Sequence, residues 1–217
     1  LKVAVIIPAW DESNHISDVI KRTKRFISDV IVVDDGSKDK TTELAKKAGA
    51  TVLTHIINLG KGATAKTGCD YAYKKGFDVL ILMDADGQHL PEDIPRFLKA
   101  LEKKDIVFGY RTENKSAPVI MGFGNWGLTR MSEILFGMAL KDTQSGFRAF
   151  TKKAYKKIKW DSVDYAMESE IIYKAQGLKF DQIPIKRIYI DAAKGTTIIH
   201  GLKIGWQMMK WKLMGGL

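Results

Sequence analysis

The chain has 217 residues, of which 45% are hydrophobic and 28% charged, a balance that excludes a wholly disordered protein and suits one large α/β domain over residues 1–217. A single cysteine, Cys69, rules out an intrachain disulfide, and four scattered histidines argue against a His/Cys zinc site. The net charge of +10 favours anionic partners, but no aromatic-and-basic motif accompanies it, so nucleic acid is not expected among them.

The first half alternates strand and helix. Val3 to Ile7 is a short apolar run closed by Pro8 and reads as a buried strand, followed by a helix over Ser13 to Phe26 and a second strand over Asp29 to Val33. Asp39 is placed to cap a helix reaching about Lys47, which Gly49 ends. Thr51 to His55 reads as the third strand, Gly62 to Lys75 as a helix, Asp78 to Met83 as the fourth strand, Pro91 to Lys103 as a helix and Ile106 to Tyr110 as the fifth strand. Continuously apolar strands alternating with helices predict a mainly parallel central sheet flanked by helices. In the second half, Glu113 to Gly124 reads as a loop, Asn125 to Met138 as an apolar helix, and Lys141 to Arg148 as a polar turn before a short strand at Ala149 and Phe150. Tyr165 to Gln176 reads as a helix, and Phe180 to Tyr189 contains another strand.

In open α/β sheets, ligands bind beyond the carboxyl ends of the strands. Polar motifs cluster there. The first strand ends in Pro8-Ala9-Trp10-Asp11-Glu12, offering a flat ring for a nucleobase and an acceptor; a core Trp and a helix-dipole acid are the plainer alternative. The second ends in Val33-Asp34-Asp35-Gly36-Ser37, where Asp35 and Ser37 can bond a base or ribose, and where capping acids in a turn would look the same. Lys61 lies in Asn58-Leu59-Gly60-Lys61-Gly62 before a helix, within reach of a diphosphate, although the full phosphate-loop spacing is missing. The fourth strand ends in Asp84-Ala85-Asp86-Gly87-Gln88-His89. Two aspartates one residue apart on extended backbone point the same way, and their mutual repulsion at the end of a buried strand calls for a cation. Mg²⁺ or Mn²⁺ bridging Asp84, Asp86 and a substrate diphosphate would supply it, with Gln88 or His89 able to add a ligand; a solvated turn with an Asp cap to the Pro91 helix is the plainer alternative.

Taken in order, Val-Ile-Ile-Pro-Ala-Trp-Asp-Glu, Val-Val-Asp-Asp-Gly-Ser, Asn-Leu-Gly-Lys-Gly-Ala and Met-Asp-Ala-Asp-Gly-Gln-His resemble family 2 glycosyltransferases of the Rossmann-like GT-A fold. Gly109-Tyr110-Arg111 and Asp142 to Arg148 extend the resemblance to the dolichol-phosphate mannose synthases and related polyprenyl-phosphate glycosyltransferases. The resemblance implies inverting transfer of one sugar from a nucleotide-sugar donor, of GDP-mannose or UDP-glucose type, to a polyprenyl phosphate. Pro8, Ala9, Trp10, Glu12, Val33, Asp35, Lys61, Asp84, Ala85 and Asp86 would then bind the donor. Asp86 and Arg111 would be catalytic, and Arg111, Arg130, Arg148 and Lys194 are candidates to meet the acceptor phosphate. Arg130 can equally pair with Glu133 on its helix, and Arg148 can equally serve as a hydrogen-bond hub under the Asp142 turn.

Two other readings stay open on the residues alone. A sugar or protein hydroxyl acceptor would need a base, for which Asp142 and Glu168 are candidates. A non-catalytic nucleotide-sugar-binding scaffold would keep the same pocket. The acidic, Gly-free loop after the first strand disfavours a sugar nucleotidyltransferase. Finally, Ile198, Leu202, Trp206, Met209 and Leu213 recur at helical spacing, with Lys203, Lys210 and Lys212 off that stripe. Over residues 198–217 this suits an amphipathic helix in a membrane interface and, equally, one packed on the sheet. No stretch reads as a signal peptide or a bilayer span. The expected location is the cytoplasmic face of a membrane, with peripheral attachment or a segment outside this chain.

Overall fold

The computed structural model describes residues 1–112, 119–186 and 198–215; in the helices that begin at Val119 and Ile198, side chains are described from residues 126 and 200 onward. In chain order the elements are β1 (Val3–Ala9), α1 (Ile16–Thr23), β2 (Asp29–Asp34), α2 (Thr41–Lys47), β3 (Thr51–Thr54), α3 (Lys61–Lys74) and β4 (Val79–Leu82). A 3-10 turn at Pro91–Asp93 then leads into α4 (Ile94–Leu101), β5 (Ile106–Arg111), α5 (Val119–Phe136), β6 (Arg148–Thr151), α6 (Lys152–Ile158), α7 (Met167–Lys174), β7 (Phe180–Ile185) and α8 (Ile198–Leu213).

Strand alternation divides the core into two layers. Ala4 and Ile6 of β1, Ile31 and Val33 of β2 and Leu80 and Leu82 of β4 enter one apolar cluster with α3, α5, α6, α7 and α8. Their neighbours Val5, Ile7, Val30, Val32, Val79 and Ile81 enter the other, against α1, α2 and α4. Both faces are therefore covered, which is why the strands read as unbroken apolar runs. Gly68 lets α3 lie close on the sheet: a Cβ there would stand 2.5 Å from Ile6 Cγ2 and 2.9 Å from Val33 Cγ2.

The seven strands lie in the order β3-β2-β1-β4-β6-β5-β7, and only β6 runs against the others. The mainly parallel α/β sheet expected from the sequence is present. Two details differ. The antiparallel β6 separates β4 from β5, and its placement depends on pairing across the chain, Leu80 with Phe150 and Ile106 with Phe150, which no local pattern encodes. Helix α5 starts at Val119 rather than Asn125, so the second half of the expected Glu113–Gly124 loop is helical. Pro184 sits in β7, an edge strand bonded only to β5, where a missing N–H is tolerated.

The reversed β6 matters for the site. Arg148, its first residue, pairs with Leu82 at the end of β4, so the Asp142–Phe147 turn is delivered to the same sheet edge as the carboxyl ends of β1, β2, β4 and β5.

Candidate active site

The loops after β1 and β2 are stitched together. The backbone N–H of Asp11 donates to Ser37 Oγ (2.9 Å), that of Glu12 to Thr41 Oγ1 (2.8 Å), that of Ser13 to Asp39 Oδ2 (3.0 Å), and that of Lys38 back to Asp11 Oδ1 (2.8 Å). Asp11 takes a left-handed backbone, φ 50°, which the short polar side chain of an aspartate tolerates. Buried Asp34 accepts from the Ser37 backbone N–H and from the hydroxyls of Ser37 and Thr42. Trp10, at the end of β1, is left exposed beside this frame, with Glu12 buried behind it and Ala9 largely covered. Val33 and Ala85 bury their side chains in the two core layers and can offer a ligand only main chain.

Asp35 lies deeper than a simple rim acid. It is 3% exposed and accepts from His55 Nδ1 (2.7 Å) and from the backbone N–H groups of Leu59 and Gly60 (2.9 Å each). It therefore fixes the turn that launches α3. Gly60 has φ 94°, and a Cβ on Gly62 would stand 2.2 Å from the Ser162 carbonyl oxygen, so the start of α3 docks against the loop before α7. Buried Trp160 reinforces that contact by donating to the Gly62 carbonyl at 2.8 Å.

Docking in this way brings Lys61 to the end of β4. Its ammonium bridges Asp84 Oδ1 (2.8 Å) and Glu168 Oε1 (3.1 Å), with the Tyr165 ring 5.8 Å away. Burial disfavours the charged amine, but the two carboxylates outweigh it and raise its pKa. Burial likewise opposes ionisation of Asp84, and Lys61 foremost among its neighbours pulls it down to about 2. Asp86 behaves oppositely: burial and repulsion from Asp84 raise its pKa, and its Oδ1 accepts the Gln88 backbone N–H (2.9 Å). Burial lowers the pKa of His89 against the pull of Asp84 and Asp86. His89 Nδ1 accepts the Asp84 backbone N–H (3.2 Å), which requires a lone pair on that nitrogen, so its 3.8 Å approach to the Asp84 carboxylate is not an ion pair. Gln88 is buried next to Asp86.

Arg111, at the end of β5, grips Asp142 through Nε (2.5 Å) and Nη2 (2.9 Å), and its own N–H reaches the same carboxylate at 3.2 Å. Burial would raise the Asp142 carboxyl, and Arg111 more than offsets this. The Asp142 turn closes at Gly146, directly against Asp84.

Two residues expected as candidates to meet the acceptor phosphate have protein partners. Arg148 is 1% exposed and donates to the carbonyls of Thr143 (2.9 Å), Ser145 (3.0 Å) and Glu168 (2.8 Å). Burial lowers its pKa to about 10 against the attraction of Glu168, Asp142 and Asp84. It takes the place of the hydrogen-bond hub beneath the site. Arg130 projects from the exposed side of α5 and pairs with Glu133. Lys194 lies outside the described residues. Glu168, a candidate base in the sequence, enters the site as a partner of Lys61 because the α7 first turn faces the α3 first turn, a contact across more than a hundred residues.

Asp84, Asp86, Asp142 and Glu168 thus face Lys61, Arg111 and Arg148, and among the described residues Asp86 is the one of these acids with no cation paired to it. That residual negative charge on hard oxygen fits a divalent cation. Among the described residues no group of three or more His, Cys, Asp or Glu would hold one unaided, so the remaining ligands would have to come from water or phosphate oxygen, as Mg²⁺ and Mn²⁺ commonly accept.

Comparison with known proteins agrees with the geometry. The family profile "Glycosyl transferase family 2" matches residues 4–159. A UDP-N-acetylglucosamine–dolichyl-phosphate N-acetylglucosaminyltransferase of Methanococcus voltae is 32% identical, covering 97% of this chain and 96% of that protein. A polyprenol monophosphomannose synthase of Mycolicibacterium smegmatis is 27% identical over 100% and 89% of the two chains. Among solved structures, glucosyl-3-phosphoglycerate synthase of Mycobacterium tuberculosis, crystallised with Mn²⁺, UDP and its product, superposes with a TM-score of 0.74 at 18% identity, covering 99% of this chain and 79% of that one, a likeness of fold. The chain belongs to glycosyl transferase family 2 and is built on the GT-A fold.

Proposed function

We propose that this chain transfers a single sugar, with inversion, from a nucleotide-diphosphate sugar to a polyprenyl phosphate. The observation that carries the reading is the Asp84–Lys61–Glu168 cluster with Asp86 beside it, set at the carboxyl edge of the sheet, where exposed Trp10 follows the neighbouring strand β1. The relatives named for dolichyl-phosphate and polyprenol substrates supply the acceptor class. GDP-mannose and UDP-glucose are the donor types first expected, and the Methanococcus relative adds UDP-N-acetylglucosamine.

Trp10 would stack on the nucleobase, with Pro8, Ala9, Glu12, Val33 and Asp35 framing the nucleoside. Asp84 and Asp86, with Gln88 adjacent, would hold Mg²⁺ or Mn²⁺, which when bound supplies positive charge to the departing diphosphate. Lys61 would donate to the same diphosphate. Arg111, oriented by Asp142, would guide the acceptor phosphate. That acceptor is already anionic near neutral pH and needs no general base, so the chain's contribution is position and electrostatic stabilisation.

A membrane surface is part of the same reading. On α8, Ile204 and Met208 are buried in the core, whereas Leu202, Trp206, Met209 and Leu213 are exposed along the opposite stripe. Neighbouring α5 exposes Trp126 and Ile134. Lys203, Lys210 and Lys212 flank the α8 stripe, and Lys210 Nζ stands 5.6 Å from the Trp206 ring. An apolar stripe edged by Trp and Lys suits a bilayer interface, and a helix at that interface would bring a lipid-borne phosphate to the protein. Among the described residues no helix is long and apolar enough to cross a membrane. Attachment at the cytoplasmic face of a membrane, peripheral or through a segment outside this chain, is the arrangement proposed. The assignment is tested by screening nucleotide-sugar donors against a short polyprenyl phosphate and weighing the products: a lipid phosphate heavier by one sugar supports it, and transfer only to hydroxyl acceptors opposes it.

A further inference from the structure

Lys61 occupies a conflicted position. Its ammonium is the cation on Asp84, the residue whose carboxylate the proposed divalent ion would use. An ammonium 2.8 Å from Asp84 Oδ1 repels a divalent ion brought to the same carboxylate, so the two cations compete for it. The chain supplies a place for Lys61 to go. Glu168 is 2% exposed, already holds Lys61 through Oε1 at 3.1 Å, and among the described residues its Oε2 has no hydrogen-bond partner. An unpaired buried carboxylate oxygen is costly, and such an atom beside a movable ammonium is an unfilled acceptor. Arg148 pins the Glu168 backbone through its carbonyl, so the acceptor is held in place while the flexible lysine moves.

We infer that Lys61 is a displaceable counter-ion: it neutralises Asp84 in the donor-free enzyme and withdraws fully onto Glu168, using the vacant Oε2, when a divalent cation takes Asp84. This rests on the metal-dependent reading above and adds to it a role for Glu168 as a positioning residue acting through Lys61. The consequence is that the free enzyme resists cations that arrive without donor, because each must first displace Lys61. With the donor diphosphate present, a freed N–H of Lys61 gains a phosphate oxygen and the exchange becomes easier.

The test is Mn²⁺ binding to the whole chain without donor, read by electron paramagnetic resonance of the free ion, for wild type, Lys61→Met, Glu168→Gln and the double variant, with thermal melts to verify folding. Lys61→Met is expected to tighten Mn²⁺ binding about tenfold, equivalent to about 1.4 kcal/mol. Glu168→Gln is expected to weaken it in the wild-type background and to change it little in the Lys61→Met background, because its effect runs through the lysine. Unchanged or weaker binding in folded Lys61→Met overturns the inference. So does a Glu168→Gln effect of equal size in both backgrounds, which would mark a simple through-space charge effect. If wild type binds no Mn²⁺ even with UDP present, the metal reading itself fails; if it binds Mn²⁺, loses it on Asp84→Ala, and ignores Lys61→Met, only the counter-ion role fails.

Discussion

Gly146 lies so close to Asp84 that a Cβ at position 146 would stand 2.7 Å from each of its carboxylate oxygens. The Asp142–Phe147 turn is thereby the wall against which the β4 aspartate rests. Gly146→Ala is expected to push Asp84 off Lys61, with about 1–3 kcal/mol of strain and a loss of about 10–100-fold in kcat/KM from misplacement of the reacting groups. Steady-state kinetics alongside urea denaturation check both. Wild-type kcat/KM in folded Gly146→Ala would show that Asp84 does not need this wall.

Helix α8 divides its apolar residues between two duties, so removing the whole segment 198–217 would tear Ile204 and Met208 from the core. Surface changes isolate the membrane role. The triple variant Leu202→Gln, Trp206→Gln, Leu213→Gln alters only exposed positions, and sedimentation with anionic vesicles is expected to weaken about tenfold or more, given ~1.5–3 kcal/mol for each large apolar side chain buried. Transfer to a short, water-soluble acceptor should be retained. Equal sedimentation of variant and wild type would remove the membrane assignment from this stripe.

Acid should loosen the frame around the site. Burial pushes the Asp39 carboxyl up, but hydrogen bonds from Thr41 and Ser13 bring it down to about 2 from its ordinary 3.8. In Glu170, burial is outweighed by Lys174 and by Ser162 and Asp161, so its pKa is also lowered. Both groups bind protons less readily folded than unfolded. Their stabilisation is therefore complete above the ordinary carboxylate range and fades as pH falls from about 4 towards 2. Melting temperature is expected to drop through that window in wild type. Asp39→Asn and Glu170→Gln should each lower it at pH 7 and flatten the acid slope, with about 1–3 kcal/mol at stake for the buried, charge-assisted Glu170 bonds. An unaltered acid slope in both variants would contradict this origin.

The sheet was readable because its central strands are covered on both faces and therefore uninterrupted by polar residues, as in Val30 to Val33 and Val79 to Leu82. The strand-end motifs were readable because the chain repeats one unit, and each unit delivers its loop to the same edge. Helix α6 was not expected: four lysines in Lys152–Ile158 mask Ala154, Tyr155 and Ile158, which alone face the core, and the Thr151 side chain that accepts from Ala154 N–H is a weak local signal. Arg148 shows the limit for single residues. A phosphate ligand and a buried hub are the same letter in the same motif, and what separates them is the set of carbonyls from Thr143, Ser145 and Glu168 that the fold gathers around it. The pairing of Lys61 with Glu168 was hidden for the same reason, since it depends on how α3 and α7 dock.

Among the described residues of the site, Asp86 is the carboxylate with no cation paired to it, and the reading of the whole site turns on it. The decisive measurement is mass-resolved sugar transfer from nucleotide-sugar donors to a short polyprenyl phosphate by wild type and Asp86→Ala, with circular dichroism to confirm the fold. Wild type is expected to yield the lipid phosphate carrying one sugar, and Asp86→Ala to fall by at least about 100-fold without unfolding. Transfer by folded Asp86→Ala at the wild-type rate would contradict the account.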